Sequence, residues 1–210
     1  MKKIILSHLI YFATNWLIAR CEDSFTNYEE LPNNLTILSG GNCLSDSDID
    51  VLDRIINLND LNYNSPLELG TQTWLNGRLR FFVAGNYGNS AGINDTIYTL
   101  PDNIGDLDNL ALLYLEWHRL SELPSSFSQM QSLISVYLNN NILSSLVDDI
   151  DNLTNLNLLD LGYNELAIIP NSLCNLQNIS YLWLFNNKIE ELPDCFCEMN
   201  LNWSGDDDSG

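Results

Sequence analysis

The sequence predicts an α/β solenoid. Its expected shape is a horseshoe of stacked coils, with a parallel β-sheet on the concave side, irregular or 3-10 arms on the convex side and a helical cap at the N-terminal end. Three observations predict it. A pattern of apolar residues begins at Leu110, Leu133, Leu156 and Ile179, 23 residues apart each time and without gaps. Each copy sets three alternating apolar residues, a strand pattern, before an Asn or His and a looser apolar tail. Upstream, Ser45 and Asp48 open an amphipathic run (Ile49, Leu52, Ile55, Ile56), which is the capping-box start of a helix over about 46–58.

The elements follow in chain order. Lys2 and Lys3 precede a short apolar run, so residues 1–21 read as a signal peptide rather than a membrane span. Cys21 stands where a lipoprotein cysteine would stand, and Ala19-Arg20-Cys21 also fits ordinary cleavage. Both processing routes stay open. Residues 22–42 are polar and acidic and read as a flexible linker, and 43–78 as the cap, with Trp74 covering the edge of the first coil. A degenerate coil begins at Leu79, Phe82 and Ala84, with Ile97, Leu100 and Leu107 as its arm. About eight extra residues, punctuated by Gly85, Gly88 and Gly92, bulge from it as a loop. Four regular coils carry the pattern to Met199, and 200–210 form a tail.

The four copies read LALLYLEWHRLSELP, LISVYLNNNILSSLV, LNLLDLGYNELAIIP and ISYLWLFNNKIEELP. On these residues the chain resembles the leucine-rich repeat family in its common 23-residue form, over Leu79 to Met199. The helix followed by Trp74, Gly77, Arg78 and Leu79 resembles the N-terminal caps of secreted members. The resemblance implies a binding role without naming a ligand, because one fold hosts many functions. One coil cannot bury its own leucines, but a stack buries them continuously. His118, Asn141, Asn164 and Asn187 occupy the turn after each strand, where a side-chain amide or imidazole satisfies backbone groups that the tight turn leaves unpaired.

The leucines fix the register, so the residues between them face the concave side. Those residues and the turn positions beside them include Tyr114, Glu116, Trp117, Tyr137, Asn139, Asp160, Tyr163, Tyr181, Trp183 and Phe185. They are expected to form an aromatic and acidic partner-binding face, since contiguous exposed aromatics mark recognition surfaces. Cross-strand packing that only stiffens the sheet is the competing reading.

The chain has 28 acidic and 8 basic residues, a net charge of −20. Without Lys and Arg clusters it offers no phosphate-binding surface, which excludes nucleic acid and anionic membranes as main targets. A membrane enters only through an anchor at Cys21. The expected partner is a protein or peptide with a basic or polar surface, with carbohydrate as a second ligand class because rings stack on sugars. An intracellular adaptor that binds small GTPases also shares the 23-residue form, and requires that residues 1–21 be retained.

The chain carries 2 histidines, and no phosphate loop or hydrolase motif, so no catalysis and no cofactor are expected. No metal site is expected either, because Cys195-x-Cys197 has no nearby His and the aspartate runs lack calcium-loop spacing. Cys174 and Cys197 fall at equal places in adjacent coils, and the spacing permits a disulfide; two buried thiols are the alternative. Cys43 has no expected partner. Glycosylation sequons stand at Asn34, Asn94, Asn152, Asn178 and Asn202. A secreted or cell-surface protein is the location these features predict.

Overall fold

A computed structural model describes residues 21–88 and 92–201. The signal-peptide reading of the N-terminal run and the sequon at Asn202 lie outside the described residues.

Segment 22–42 is not a linker. It supplies β1 (Phe25–Asn27) and β2 (Leu35–Ser39). β1 pairs antiparallel with β3 (Cys43–Ser45), and the Cys21–Cys43 disulfide closes that corner, with the Cα atoms 5.5 Å apart. Cys43 therefore has a partner. A sulfur committed to that bridge is not free to take a lipid, which counts against the anchor left open at Cys21. The strand was hidden because β2 alternates only half-buried residues with exposed ones in an otherwise polar stretch.

Helix α1 (Asp46–Leu58) starts where its cap box places it. Ser45 Oγ accepts the Asp48 N–H at 3.4 Å, and Val51, Leu52, Ile55 and Ile56 are buried on one face. Asp48 is fully buried. Its carboxylate accepts from Arg78 Nη2 at 2.8 Å, from Arg78 Nε at 3.1 Å and from the Leu79 amide at 2.7 Å. Arg78 Nη2 also reaches Asp108 at 2.5 Å, so one guanidinium ties the helix to the first coil. Burial raises the Asp48 carboxyl, against the opposing pull of Arg78 and the Leu79 N–H.

The main sheet runs β2, β4 (Thr71–Leu75), β5 (Arg78–Val83), β6 (Leu112–Tyr114), β7 (Ser135–Tyr137), β8 (Leu158–Asp160), β9 (Tyr181–Trp183). It is parallel from β5 to β9; β6 to β9 stand in the 23-residue register expected of the repeats, while Phe81 of β5 pairs with Leu112 of β6, eight residues beyond that spacing, as the extra loop requires. The exception is the β4–β5 hairpin, which is antiparallel and turns at Asn76 and Gly77, both with positive φ. An Asn-Gly pair is the preferred two-residue hairpin turn, because both positions need left-handed backbone. Trp74 on β4 is fully buried, and its indole N–H donates to Gln72 Oε1 at 3.1 Å.

The return arms contain short 3-10 segments at Ile104–Asp106, Ser125–Gln129, Ile150–Asn152, Asn171–Asn175 and Asp194–Glu198. Leu113, Val136 and Leu159 are wholly or almost wholly buried, whereas Leu182 of β9, the last strand among the described residues, is only half-buried. Cys174 bonds to Cys195, not to Cys197, which stays free and exposed. A 21-residue separation recurs between neighbouring arms, where Ser128 Oγ donates to Asp149 at 2.9 Å. The Cα separation of 6.0 Å suits the bridge. Among the described residues no helix is long and apolar enough to cross a membrane.

Candidate functional site: the sheet face and its turn ladder

The turn residues come first, because they hold the face in shape. Asn164 Oδ1 accepts the Leu143 amide at 3.0 Å, while its Nδ2 donates to the carbonyls of Leu138 at 3.0 Å and Leu161 at 3.1 Å. Asn141 bonds Leu120, Leu115 and Leu138 in the same way, and Asn187 bonds Leu166, Leu161 and Leu184. His118 takes this place with an imidazole. Its Nδ1 accepts the Ile97 amide at 3.1 Å, which leaves Nε2 to donate to the Ala84 carbonyl at 2.7 Å. Burial lowers its pKa, in keeping with the neutral ring that this pairing requires.

One residue earlier, Trp117, Asn140, Tyr163 and Asn186 all hold positive φ, between 53° and 62°. Asn tolerates that backbone, while a bulky ring does so at a cost of about 1 kcal/mol or more. Trp117 and Tyr163 accept this strain at the rim of the sheet and are the most exposed rings of the predicted stripe, at 56% and 51%.

On the strands, the Tyr114 and Tyr137 rings stack at 4.2 Å, and Trp183 lies tilted 6.5 Å from Tyr137. Phe185 meets Tyr163 edge-on at 5.2 Å and lies over Gly162, where a Cβ would stand 2.6 Å from the ring. Tyr181 is also exposed on this face. The ring contacts fall into two groups, Tyr114–Tyr137–Trp183 along the strands and Tyr163–Phe185 at the turn.

Glu116 and Asp160 are less open than their strand positions imply. Each is only 7% exposed. Glu116 accepts the hydroxyl of Tyr87, and Asp160 accepts the Gly162 amide at 3.0 Å. Tyr87 comes from the loop after β5, and its ring rests on Gly85, where no side chain is present to displace it. The sequence reading missed Tyr87. The only local signal was an aromatic two residues from a glycine, at a strand position that otherwise carries Glu116, Asn139, Gly162 and Phe185.

Burial pushes the Glu116 carboxyl up, and nearby Asp160 adds to the rise while the Tyr87 hydroxyl opposes it. Burial likewise raises Asp160, against the Gly162 N–H. Burial pushes the Tyr137 hydroxyl up to about 12, helped by a bond to Tyr114 and by both carboxylates.

Groups whose pKa is raised on folding contribute their full stability below the ordinary carboxylate range and lose it as pH climbs through the raised values. Glu116→Gln and Asp160→Asn are therefore expected to raise the melting temperature at neutral pH, with the gain vanishing near about pH 4. Melting curves across that range check the sign; a loss of stability at neutral pH would make the carboxylates structural.

Two sequon asparagines use their amides inside the fold. Asn34 Nδ2 donates to the Leu67 carbonyl at 3.0 Å and also to that of Gly70, and Asn178 Nδ2 donates to the Thr154 carbonyl at 2.7 Å. Asn94 and Asn152 are exposed. No group of three His, Cys, Asp or Glu able to hold a metal occurs among the described residues.

No protein-family model and no curated protein matches the chain. Solved structures do. The leucine-rich repeat ectodomain of an Arabidopsis thaliana receptor kinase aligns with 75% of this chain and 90% of its own, at 22% identity and a TM-score of 0.58. A plant ice-binding protein aligns with 73% of this chain at 24% identity, also with a TM-score of 0.58. A leucine-rich repeat protein of Leptospira interrogans is 30% identical over 51% of this chain, with a TM-score of 0.48. The chain spans 28% of that bacterial protein's length and 52% of the ice-binding protein's.

Proposed function

The chain has the leucine-rich repeat fold, and we propose that it is a non-catalytic binding module that recognises a protein or peptide partner on its concave face. The observation that carries this reading is the two ring groups, Tyr114–Tyr137–Trp183 and Tyr163–Phe185, which lie outside the leucine core, with Tyr163 held on strained backbone. Aromatics in contiguous surface patches are the usual energetic centres of interfaces. The net charge of −20 favours a basic partner surface over an acidic one.

Two disulfides support a secreted or cell-surface location, because such bonds persist in oxidising compartments and are rare in the cytosol. They count against the intracellular adaptor. Carbohydrate is the ligand class that the same rings would otherwise suit.

Trp183→Ala and Tyr137→Ala are each expected to weaken partner binding by about 2 kcal/mol, roughly thirtyfold, while the melting temperature barely moves. A binary screen of the intact protein against secreted and cell-surface proteins, run beside a glycan array, supplies the readout. Hits on the glycan array alone, or protein hits indifferent to both variants, would sink the reading.

A further inference from the structure

A cleft of about 370 Å³ opens where three stretches of the chain meet, and none of the sheet-face rings lines it. Asn34 enters just ahead of β2. Asn62, Tyr63 and Glu68 come from the cap between α1 and β4, and Asn94 and Asp95 from the loop that interrupts the first coil. Both walls are fixed. Asn34 Nδ2 donates to the Leu67 carbonyl at 3.0 Å and to that of Gly70, which ties its segment to the cap. Ile93 is buried, and its amide donates to the Gly85 carbonyl at 3.0 Å, which pins the returning end of the loop. The volume falls within the range of small-molecule sites, about 300–1,000 Å³.

The lining states what fits. No Lys, Arg or His faces the cleft, so an anion finds no counter-charge. Its acids are two, short of the group of three that a metal site would show. Asn62 and Asn94 are exposed, and their side-chain amides make no hydrogen bond among the described residues. Each amide offers both a donor and an acceptor. Glu68 spends one oxygen on the Asn64 amide at 3.1 Å, and Asp95 one on the Thr96 amide at 2.8 Å, which leaves the second oxygen of each for a ligand. Tyr63 is half-buried against the core, and burial raises its hydroxyl, with Asp95 and Glu68 adding to the rise as acids near the ring do. An ammonium ligand has donors only and leaves the Asn62 and Asn94 N–H groups unanswered. A hydroxyl donates to a carboxylate and accepts from an amide. Neighbouring hydroxyls on a ring with an apolar face answer every group in the cleft, with that face laid on Tyr63.

We propose that this cleft is a binding site for an uncharged sugar, with one pyranose ring stacked on Tyr63 and its hydroxyls shared among Glu68, Asp95, Asn62 and Asn94. The site is separate from the concave face and stands or falls without it. It also gives the extra residues of the first coil a role, since they carry Asn94 and Asp95 across to the cap.

Asn34 and Asn94 are sequon residues, so the test uses the full chain, disulfides intact, from a host that adds no N-glycans. Methyl glycosides of glucose, mannose, galactose and N-acetylglucosamine are titrated in turn. The Tyr63 ring and the Asn62 and Asn94 side-chain amides are followed by NMR. The expected result is saturable movement of these signals with at least one glycoside. Asn62→Ala and Asn94→Ala should each weaken binding about threefold to tenfold at an unchanged melting temperature, because neither side chain bonds within the fold. Trp183→Ala should leave glycoside binding as it was. No saturable shift up to about 50 mM of any glycoside overturns the proposal. So does tighter binding of methylammonium or calcium chloride at the same signals, or an affinity indifferent to both Asn variants. Loss of glycoside binding in Trp183→Ala places the sugar on the sheet face and likewise overturns the cleft. A protein partner indifferent to Trp183, with a glycoside still seated at Asn62 and Asn94, sinks the concave-face reading and supports the cleft.

Discussion

Arg78→Met is expected to destabilise the protein by about 3–5 kcal/mol, which is the usual cost of stranding one member of a buried ion pair. Asp48 is wholly buried and depends on the Arg78 guanidinium for three of its hydrogen bonds. Without it the carboxylate keeps the Leu79 amide at 2.7 Å and a weak contact from Ser45 at 3.4 Å. Those donors answer its hydrogen-bonding needs in part and its charge not at all. The same loss cuts the link from α1 through Arg78 to Asp108, so the cap loosens along with the charge. Asp48→Asn combined with Arg78→Met should recover part of the loss, since it removes the stranded charge. Denaturant midpoints for the three variants check this. A single-variant loss under about 1 kcal/mol would show that water reaches Asp48 freely.

Asn164→Ala is expected to cost about 3–4 kcal/mol. Its amide serves the Leu143 N–H and the Leu138 and Leu161 carbonyls, all buried, and each group left unpaired costs about 1–3 kcal/mol less whatever water can enter. Asn187→Ala should cost less than half as much. It makes the same bonds, but it is only partly buried, so water takes over the lost partners. Equal losses at both positions would mean that burial does not set the energy of the ladder.

The repeats were legible in the sequence because the physics that forms them is periodic. Three inward residues per strand and one polar turn residue, returning every 23 positions, leave a single register in which leucines are buried. That register also placed Tyr114, Tyr137 and Trp183 on one face before any coordinates. What stayed hidden depends on contacts without a period. The Cys21–Cys43 bridge joins two segments with no repeat between them. The Cys174–Cys195 pairing joins positions 21 apart, a separation the 23-residue period does not encode. Tyr87 reaches Glu116 from a loop that interrupts the period, so the burial of the acid was unreadable from its own coil. The β4–β5 hairpin did carry a local mark, Asn76-Gly77, but it was absorbed into the expectation of a cap.

The two disulfides also decide how the molecule comes apart. One clasps the N-terminal corner and the other joins the last two arms, while the coils between them hold only through neighbour contacts. Each bridge closes a segment of about 20 residues, a constraint worth roughly 3 kcal/mol by loop entropy. Stacked repeats otherwise fray inward from their ends, because a terminal coil has one neighbour instead of two. With both bridges intact, slow-exchanging backbone amides should extend to the outer coils. After reduction, exchange should quicken first around β3 and β9 and spread toward β7, so that fraying becomes a direction read along the chain.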